Sequence, residues 1–325
     1  MNVPPSEPVW FAGQHLPEEP VAEEAPAEES KTEDKSDQEE KPAKDEAKDE
    51  APTKDQPAAV EAALSLTAGR ACAEALLLVE ADSGKVLHAE NATYPWYPAS
   101  VTKLMTAYLV FDALESGRLK LDQTGVISDK AWRTEGSRMF VKVNSQVAVN
   151  DLLQGVIVQS GNDASVALAE AVAGSEDAFA ALMNEEAAKL GLTATHFKNS
   201  TGLPDPEHLT SVRDLGVLSA ALVARFPQYL HYYSQKEYTY NNIKQPNRNR
   251  LLWLDNTVDG LKTGHTQSAG YCLVSTALRD GRRVVSVVVG TANDAARTEN
   301  SLKLLNWSFQ NFETVKLYDA SNPAV

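Results

Sequence analysis

The chain has 325 residues, with 30 Lys and Arg against 45 Asp and Glu and a formal net charge of −15. The acidity is local: residues 1–60 hold 17 acidic and 6 basic side chains and the rest hold 28 and 24, so the two parts carry −11 and −4. No basic stripe is left to grip nucleic acid, and no run of about 18 apolar residues could cross a membrane.

Residues 1 to about 65 are dominated by Pro, Ala, Glu, Lys and Asp. Such a segment cannot bury enough apolar surface to offset its ordering entropy, so an acidic disordered tail is expected over 1–65. No secretory leader is recognisable, since the first Lys or Arg is Lys31 and no apolar segment precedes it. A catalytic domain is expected over 70–315, long enough for one large core or two joined subdomains, with 316–325 as a short stub that carries no anchor.

Along the chain, Ala75–Val79 and Val86–Glu90 flank Asp82-Ser-Gly84 and read as a β-hairpin. Val101, Leu104, Met105, Tyr108 and Leu109 recur at helical spacing, which predicts an amphipathic helix from near Ser100. A polar stretch follows to Asn150, expected to cap a helix over 151–158. Helices are expected over 163–173, 176–190 (stopped by Gly191), 210–225 and 294–312. Strands are expected around 238–242, 250–254, 271–278 and 284–289, the last two joined by Asp280-Gly281. Strands at both ends and helices between them predict an α+β fold of three layers. In it, an antiparallel sheet forms from both ends of the domain around an inserted helical subdomain.

Three motifs carry chemistry: Ser100-Val-Thr-Lys103, Ser160-Gly-Asn162 and Lys262-Thr263-Gly264. Their association with penicillin-binding proteins and class A β-lactamases is a known one. At a helix start the Ser100 N–H and the helix dipole favour developing negative charge, and Lys103 at i+3 lies on the same face. Lys103 can take the serine proton only when neutral, which burial and a second cation such as Lys262 would promote. Alone, Ser100 reads as an ordinary N-cap and Lys103 as a solvated helix residue; the other motifs change that reading. Ser160 could relay a proton and Asn162 hold a carbonyl, although Asn162 or Asp163 could simply cap the next helix. Lys262 and Thr263 beside Gly264 suit a carboxylate, and the His265 N–H would be a second oxyanion donor.

Cys72 and Cys272 lie 200 positions apart and match no metal spacing. They read as two small buried residues, with a disulfide as the alternative.

With these residues assembled, the chain resembles the serine-type D-alanyl-D-alanine carboxypeptidases, the low-molecular-mass penicillin-binding proteins. The likeness extends through Pro98–Thr106, Gly136–Phe140, Val156–Ala164 and Gly260–Gly270 and covers about residues 74–315. The resemblance implies a β-lactamase/transpeptidase-like fold, Ser100 as acylated nucleophile, Lys103 as its base, Ser160 as proton shuttle and Asn162 as peptide holder. Lys262 and Thr263 would bind the terminal carboxylate with Arg297 nearby, and the N–H groups of Ser100 and His265 would form the oxyanion hole. The implied reaction removes the terminal D-alanine from peptidoglycan stem pentapeptides through an acyl-serine. β-Lactams would be inhibitors, no metal or organic cofactor is implied, and the location would be periplasmic or otherwise extracytoplasmic.

Two other readings compete. A class A-like β-lactamase needs a deacylating glutamate, and Glu237-Tyr-Thr-Tyr-Asn241 has the formal spacing but lies 25 residues before Lys262 in an expected strand. A catalytically silent peptidoglycan-binding protein is the alternative of another class.

Overall fold

The structure is a computed structural model that describes residues 73–314. The expected tail over 1–65, the stub over 316–325 and Cys72 lie outside these residues.

A five-stranded antiparallel sheet organises the molecule, in the order β2-β1-β9-β8-β7. Its strands are β1 (Ala75–Glu80), β2 (Val86–Glu90), β7 (Val258–Thr266), β8 (Gly270–Arg279) and β9 (Arg282–Thr291). The first strand therefore pairs with the last, Ala75 opposite Val289 and Glu80 opposite Val284. Every residue of β1 is buried, because both faces of the sheet are covered. Leu76 and Leu78 join a core with Leu273, Val284, Val288, Leu304 and Leu305, under helix α8 (Asp294–Asn311). Leu77 and Val79 point to the other face, where Gly216 of helix α6 (Val212–Arg225) comes so near that an added Cβ would stand 2.2 Å from Leu77 Cδ2. Burial on both faces explains the continuous apolar run where a one-sided strand would alternate.

Between β2 and β7 lies the helical part. Helix α1 (Lys103–Glu115) runs through its centre and buries ten of its 13 residues. The sequence pattern suggests an amphipathic helix; this one is apolar nearly all round because neighbours pack on every side. Around it stand α3 (Val149–Ile157), α4 (Asn162–Ala173) and α5 (Glu176–Lys189), with the short α2 (Asp129–Arg133) beside α4. Phe111 of α1 stacks on Tyr229, with centroids 4.5 Å apart. Two small ribbons complete the chain: β3 (Thr124–Val126) with β4 (Gln146–Ala148), and β5 (Glu237–Tyr240) with β6 (Ile243–Pro246).

Two local expectations need correction, and one strand was not foreseen. Residues Leu251–Leu254 form a helical turn, α7, not a strand, because the Asn249 side chain accepts the Leu251 N–H at 3.1 Å and starts a turn. Asn150 does not cap α3, whose N-cap is Ala148. The Lys262-Thr263-Gly264 motif lies inside β7, a strand absent from the sequence expectation, and is followed by the expected strand β8.

Candidate active site

Ser100 lies in a 3₁₀ turn, Ala99–Thr102, that leads into α1. It caps neither element: Pro98 and Thr102 hold the N-cap positions, and neither cap makes a side-chain bond. Ala99 adopts a left-handed φ of 47°, a conformation that costs a non-glycine residue of order 1 kcal/mol and turns the chain sharply before the serine. Gly202 braces this kink from outside. Its own φ is 81°, and a Cβ there would fall 1.7 Å from the Ala99 carbonyl oxygen.

Lys103 is 1% exposed, and its Nζ has three neighbours. It donates to Asn162 Oδ1 at 2.7 Å and to the Thr201 carbonyl at 2.6 Å, and it lies 3.1 Å from Ser100 Oγ. A neutral amine has two N–H bonds and one lone pair. With both N–H groups committed, the lone pair faces the serine hydroxyl. No carboxylate touches this amine, so burial, followed by the field of Arg248, pulls its pKa down to about 7 against the opposing pull of Asp163 and Glu176. The sequence suggested Lys262 as the depressing cation. Repulsion between Lys103 and Lys262 is mutual, and Arg248 adds its field at both lysines.

The second motif sits in the turn between α3 and α4. Ser160 is 1% exposed with a left-handed φ of 60°. Its Oγ accepts from Lys262 Nζ at 3.0 Å, which links the second motif to the third. Asn162 is the first residue of α4, and the N-cap is Gly161. The Asn162 amide cannot be turned over: Nδ2 donates to the Glu135 carbonyl at 2.6 Å, so Oδ1 must face Lys103. Buried Asp163 fixes the wall behind it by accepting the N–H groups of Met139, Phe140 and Val141 at 2.9, 2.9 and 3.2 Å.

The third motif lies on β7, an edge of the sheet, where a strand has backbone groups that no neighbouring strand pairs. Lys262 and Thr263 are 3% and 5% exposed. The Lys262 pKa is held well below its usual value by burial first, then by Lys103, Arg248 and Arg297. A Cβ at Gly264 would stand 3.0 Å from the Pro98 carbonyl oxygen and 3.1 Å from Val101 Cγ2, so glycine lets β7 lie directly on the Ser100 turn. His265 is exposed, and its ring lies tilted against Tyr271 with centroids 3.9 Å apart.

Arg297 is brought to the same strand, but its guanidinium is occupied. It donates to the Gly264 carbonyl at 3.2 Å, binds Asp294, and lies over the Tyr271 ring. It braces β7. The exposed cation whose field reaches both catalytic-motif lysines is Arg248, which the sequence reading missed; it donates to Ser137 Oγ at 2.8 Å. The signal was its setting, Asn247-Arg-Asn249: both asparagines are buried, and Asn249 Nδ2 donates to the Gly260 carbonyl of β7 at 3.0 Å. Thr201 was also missed, because a carbonyl ligand leaves no trace in side-chain identity. Glu237 is exposed and paired with Lys244 at 2.7 Å, which gives the β-lactamase reading no support. Cys272 is buried; its thiol donates to the Ala269 carbonyl at 3.5 Å, and burial raises its pKa to about 11.

Known proteins resemble this chain in sequence and in fold. D-alanyl-D-alanine carboxypeptidase DacC of Escherichia coli is 46% identical over 266 residues, 80% of this chain and 66% of that protein, so this chain spans just under two thirds of its length. The crystal structure of D-alanyl-D-alanine carboxypeptidase DacD from Francisella tularensis matches with a TM-score of 0.74 and 35% identity, over 78% of this chain and 74% of that one. Penicillin-binding protein D2 of Listeria monocytogenes, solved in its ampicillin-bound form, matches with a TM-score of 0.67 and 31% identity, over 73% and 97%. The fold is thus that of the penicillin-binding proteins, and the family model described as D-alanyl-D-alanine carboxypeptidase, peptidase S11, matches residues 61–293: the chain belongs to that family.

Proposed function

We propose that this chain is a serine D-Ala-D-Ala carboxypeptidase that removes the terminal D-alanine from peptidoglycan stem pentapeptides through an acyl-serine intermediate. The observation that carries the reading is the hydrogen-bond count at Lys103. Nζ makes three contacts, and in the neutral amine the two N–H groups go to Asn162 and Thr201, which leaves the lone pair for Ser100 at 3.1 Å. Ser100 attacks the carbonyl of the penultimate residue as its proton passes to Lys103. The N–H groups of Ser100 and His265 receive the developing oxyanion, each such donor being worth about 3 kcal/mol of barrier. Ser160, hydrogen-bonded to Lys262, relays to the departing amine the proton that Lys103 has taken up, so both groups end as they began. Thr263 and the charges of Lys262 and Arg248 hold the terminal carboxylate, with Gly264 giving clearance and Arg297 stiffening the strand behind. Asn162 positions the peptide as well as the base. Water then hydrolyses the acyl-enzyme.

β-Lactams mimic the D-Ala-D-Ala end and acylate the same serine; the ampicillin-bound Listeria relative supports this. The substrate is a wall peptide, so the place of action is extracytoplasmic. Among the described residues no helix is long and apolar enough to cross a membrane. The deciding experiment follows intact mass with excess penicillin while the drug's absorbance is read in the same tube. A persistent one-drug adduct, little drug consumed, and D-alanine released from a pentapeptide are expected. Rapid drug loss with a fleeting adduct would overturn the reading in favour of a β-lactamase, and neither adduct nor loss in favour of a binding protein.

A further inference from the structure

The Thr201 carbonyl takes one of the two N–H bonds that orient the Lys103 lone pair, and one side chain holds that carbonyl in place. Asn199 Oδ1 accepts three donors at once: Thr201 N at 3.1 Å, Thr201 Oγ1 at 2.9 Å and Gly202 N at 2.8 Å. Its Nδ2 donates onward to the Leu203 carbonyl at 3.1 Å. The backbone is thereby wound round the amide into a knot, and Gly202 at its crest lies on the Ala99 carbonyl just before Ser100. From the other side the Ser200 carbonyl accepts Thr106 Oγ1 and Ser165 Oγ, each at 2.7 Å. The knot is pinned to α1 and α4, the helices that carry Lys103 and Asn162.

We propose that Asn199 is a positioning residue for the proton chemistry of Lys103: it aims the Thr201 carbonyl at the amine, and it does so without charge, which leaves the amine's lone pair to Ser100. The inference rests on the reading of Lys103 as the base. An aspartate could accept the same three bonds, but it would add a negative charge one short loop from an amine whose contacts are all dipolar. The other charged and titratable groups bearing on Lys103 are Arg248, Asp163, Glu176, Lys262 and the buried His208. A new carboxylate would side with Asp163 and Glu176 and favour the protonated lysine.

The test is the rate of Ser100 acylation by benzylpenicillin, measured on the full chain from about pH 5 to about pH 9, with the non-covalent binding constant separated from the acylation step. Asn199→Asp is expected to move the acid limb of the acylation rate upward by about half a pH unit or more. Asn199→Ala, which releases the carbonyl, is expected to lower the acylation rate about tenfold with the binding constant kept. If both variants melt as folded proteins and keep the unsubstituted chain's limb and rate, the role of Asn199 is overturned while Lys103 stands as base. If the unsubstituted chain forms no adduct at Ser100, the base reading itself has failed. Should Asn199→Asp not fold, Asn199→Ser decides: a rate between that of the unsubstituted chain and that of Asn199→Ala supports the proposal, and an unchanged rate sinks it.

Discussion

A lysine can serve as a base only while it is neutral, so the pH at which Lys103 sheds its proton decides when the proposed enzyme works. With a pKa near 7, the acylation rate is expected to rise with pH through that value and to fall below it, as the cation forms and the lone pair disappears. A penicillin acylation rate that stays flat from about pH 5 to about pH 9 would show that the proton goes elsewhere. Ser100→Ala is expected to abolish the drug adduct with the melting temperature little changed, since Ser100 is half-buried and caps no helix. Labelling that survives the substitution would place the nucleophile elsewhere. Lys103→Ala should lose the adduct as well, yet for a different reason: the hydroxyl remains, and the group that accepts its proton is gone. The residues proposed to carry this chemistry could be picked out in the sequence because side-chain identity and spacing survive in one dimension. Arg248 and Asn199 were not, because their importance lies in what they face. Arg297 shows the converse: chain position suggests a ligand contact, whereas Asp294 and the Gly264 carbonyl occupy its guanidinium.

The site is made by short segments between larger elements, and each is held by a dedicated polar anchor. Asp163 is the anchor of the 139–141 segment, whose three N–H groups all donate to its carboxylate. Asp163→Ala is expected to cost about 3 kcal/mol or more, from the unsatisfied donors it leaves, and to be read as a lowered denaturation midpoint. An unchanged midpoint would mean that the segment finds water at no cost. Hairpin and helix positions were largely readable: β8 and β9 follow their β-branched run, and α4, α5, α6 and α8 lie within two residues of the expected spans. Residues 250–254 misled because a run of Leu and Trp fits a strand as well as a turn. The Asn249 side chain settles the matter locally, and hydropathy does not register such a bond. Helix α1 was found but its environment was not, since a stripe and an all-round apolar surface differ only in what packs against the remaining face.

For the molecule as a whole, stability should depend on pH through His208. It is 2% exposed; its Nδ1 accepts the Lys198 N–H at 3.2 Å, so Nε2–H donates to Thr102 Oγ1 at 2.9 Å and the ring is neutral. Burial lowers its pKa from 6.5 to about 4. The unfolded chain therefore takes the proton first: stability is full above about pH 6.5 and is lost as the pH falls toward 4, by about 3 kcal/mol. In His208→Gln, whose amide can still bond Thr102, that part of the acid sensitivity should vanish from the melting curves. The composition of the first 65 residues makes a further prediction at this scale. Their deletion should leave D-alanine release from a soluble peptide unchanged, and a large fall in kcat would show that they take part in the site.

The pairing of β1 with β9 reaches beyond stability into the order in which the molecule comes into being. β9 is the middle strand of the sheet, flanked by β1 from the start of the domain and β8 from its end, with Ala75 set opposite Val289. Contacts between residues so far apart in the chain form slowly, because the loop between them must close before any pairing rewards it. A nascent chain that has emerged only as far as β8 holds Ser100, Ser160 and Lys262 but lacks the strand that joins β1 to β8 and so draws the two ends of the sheet together. Reactivity toward penicillin is thus expected to switch on late and all at once, as the final strand is added, and not to build up as the polypeptide lengthens.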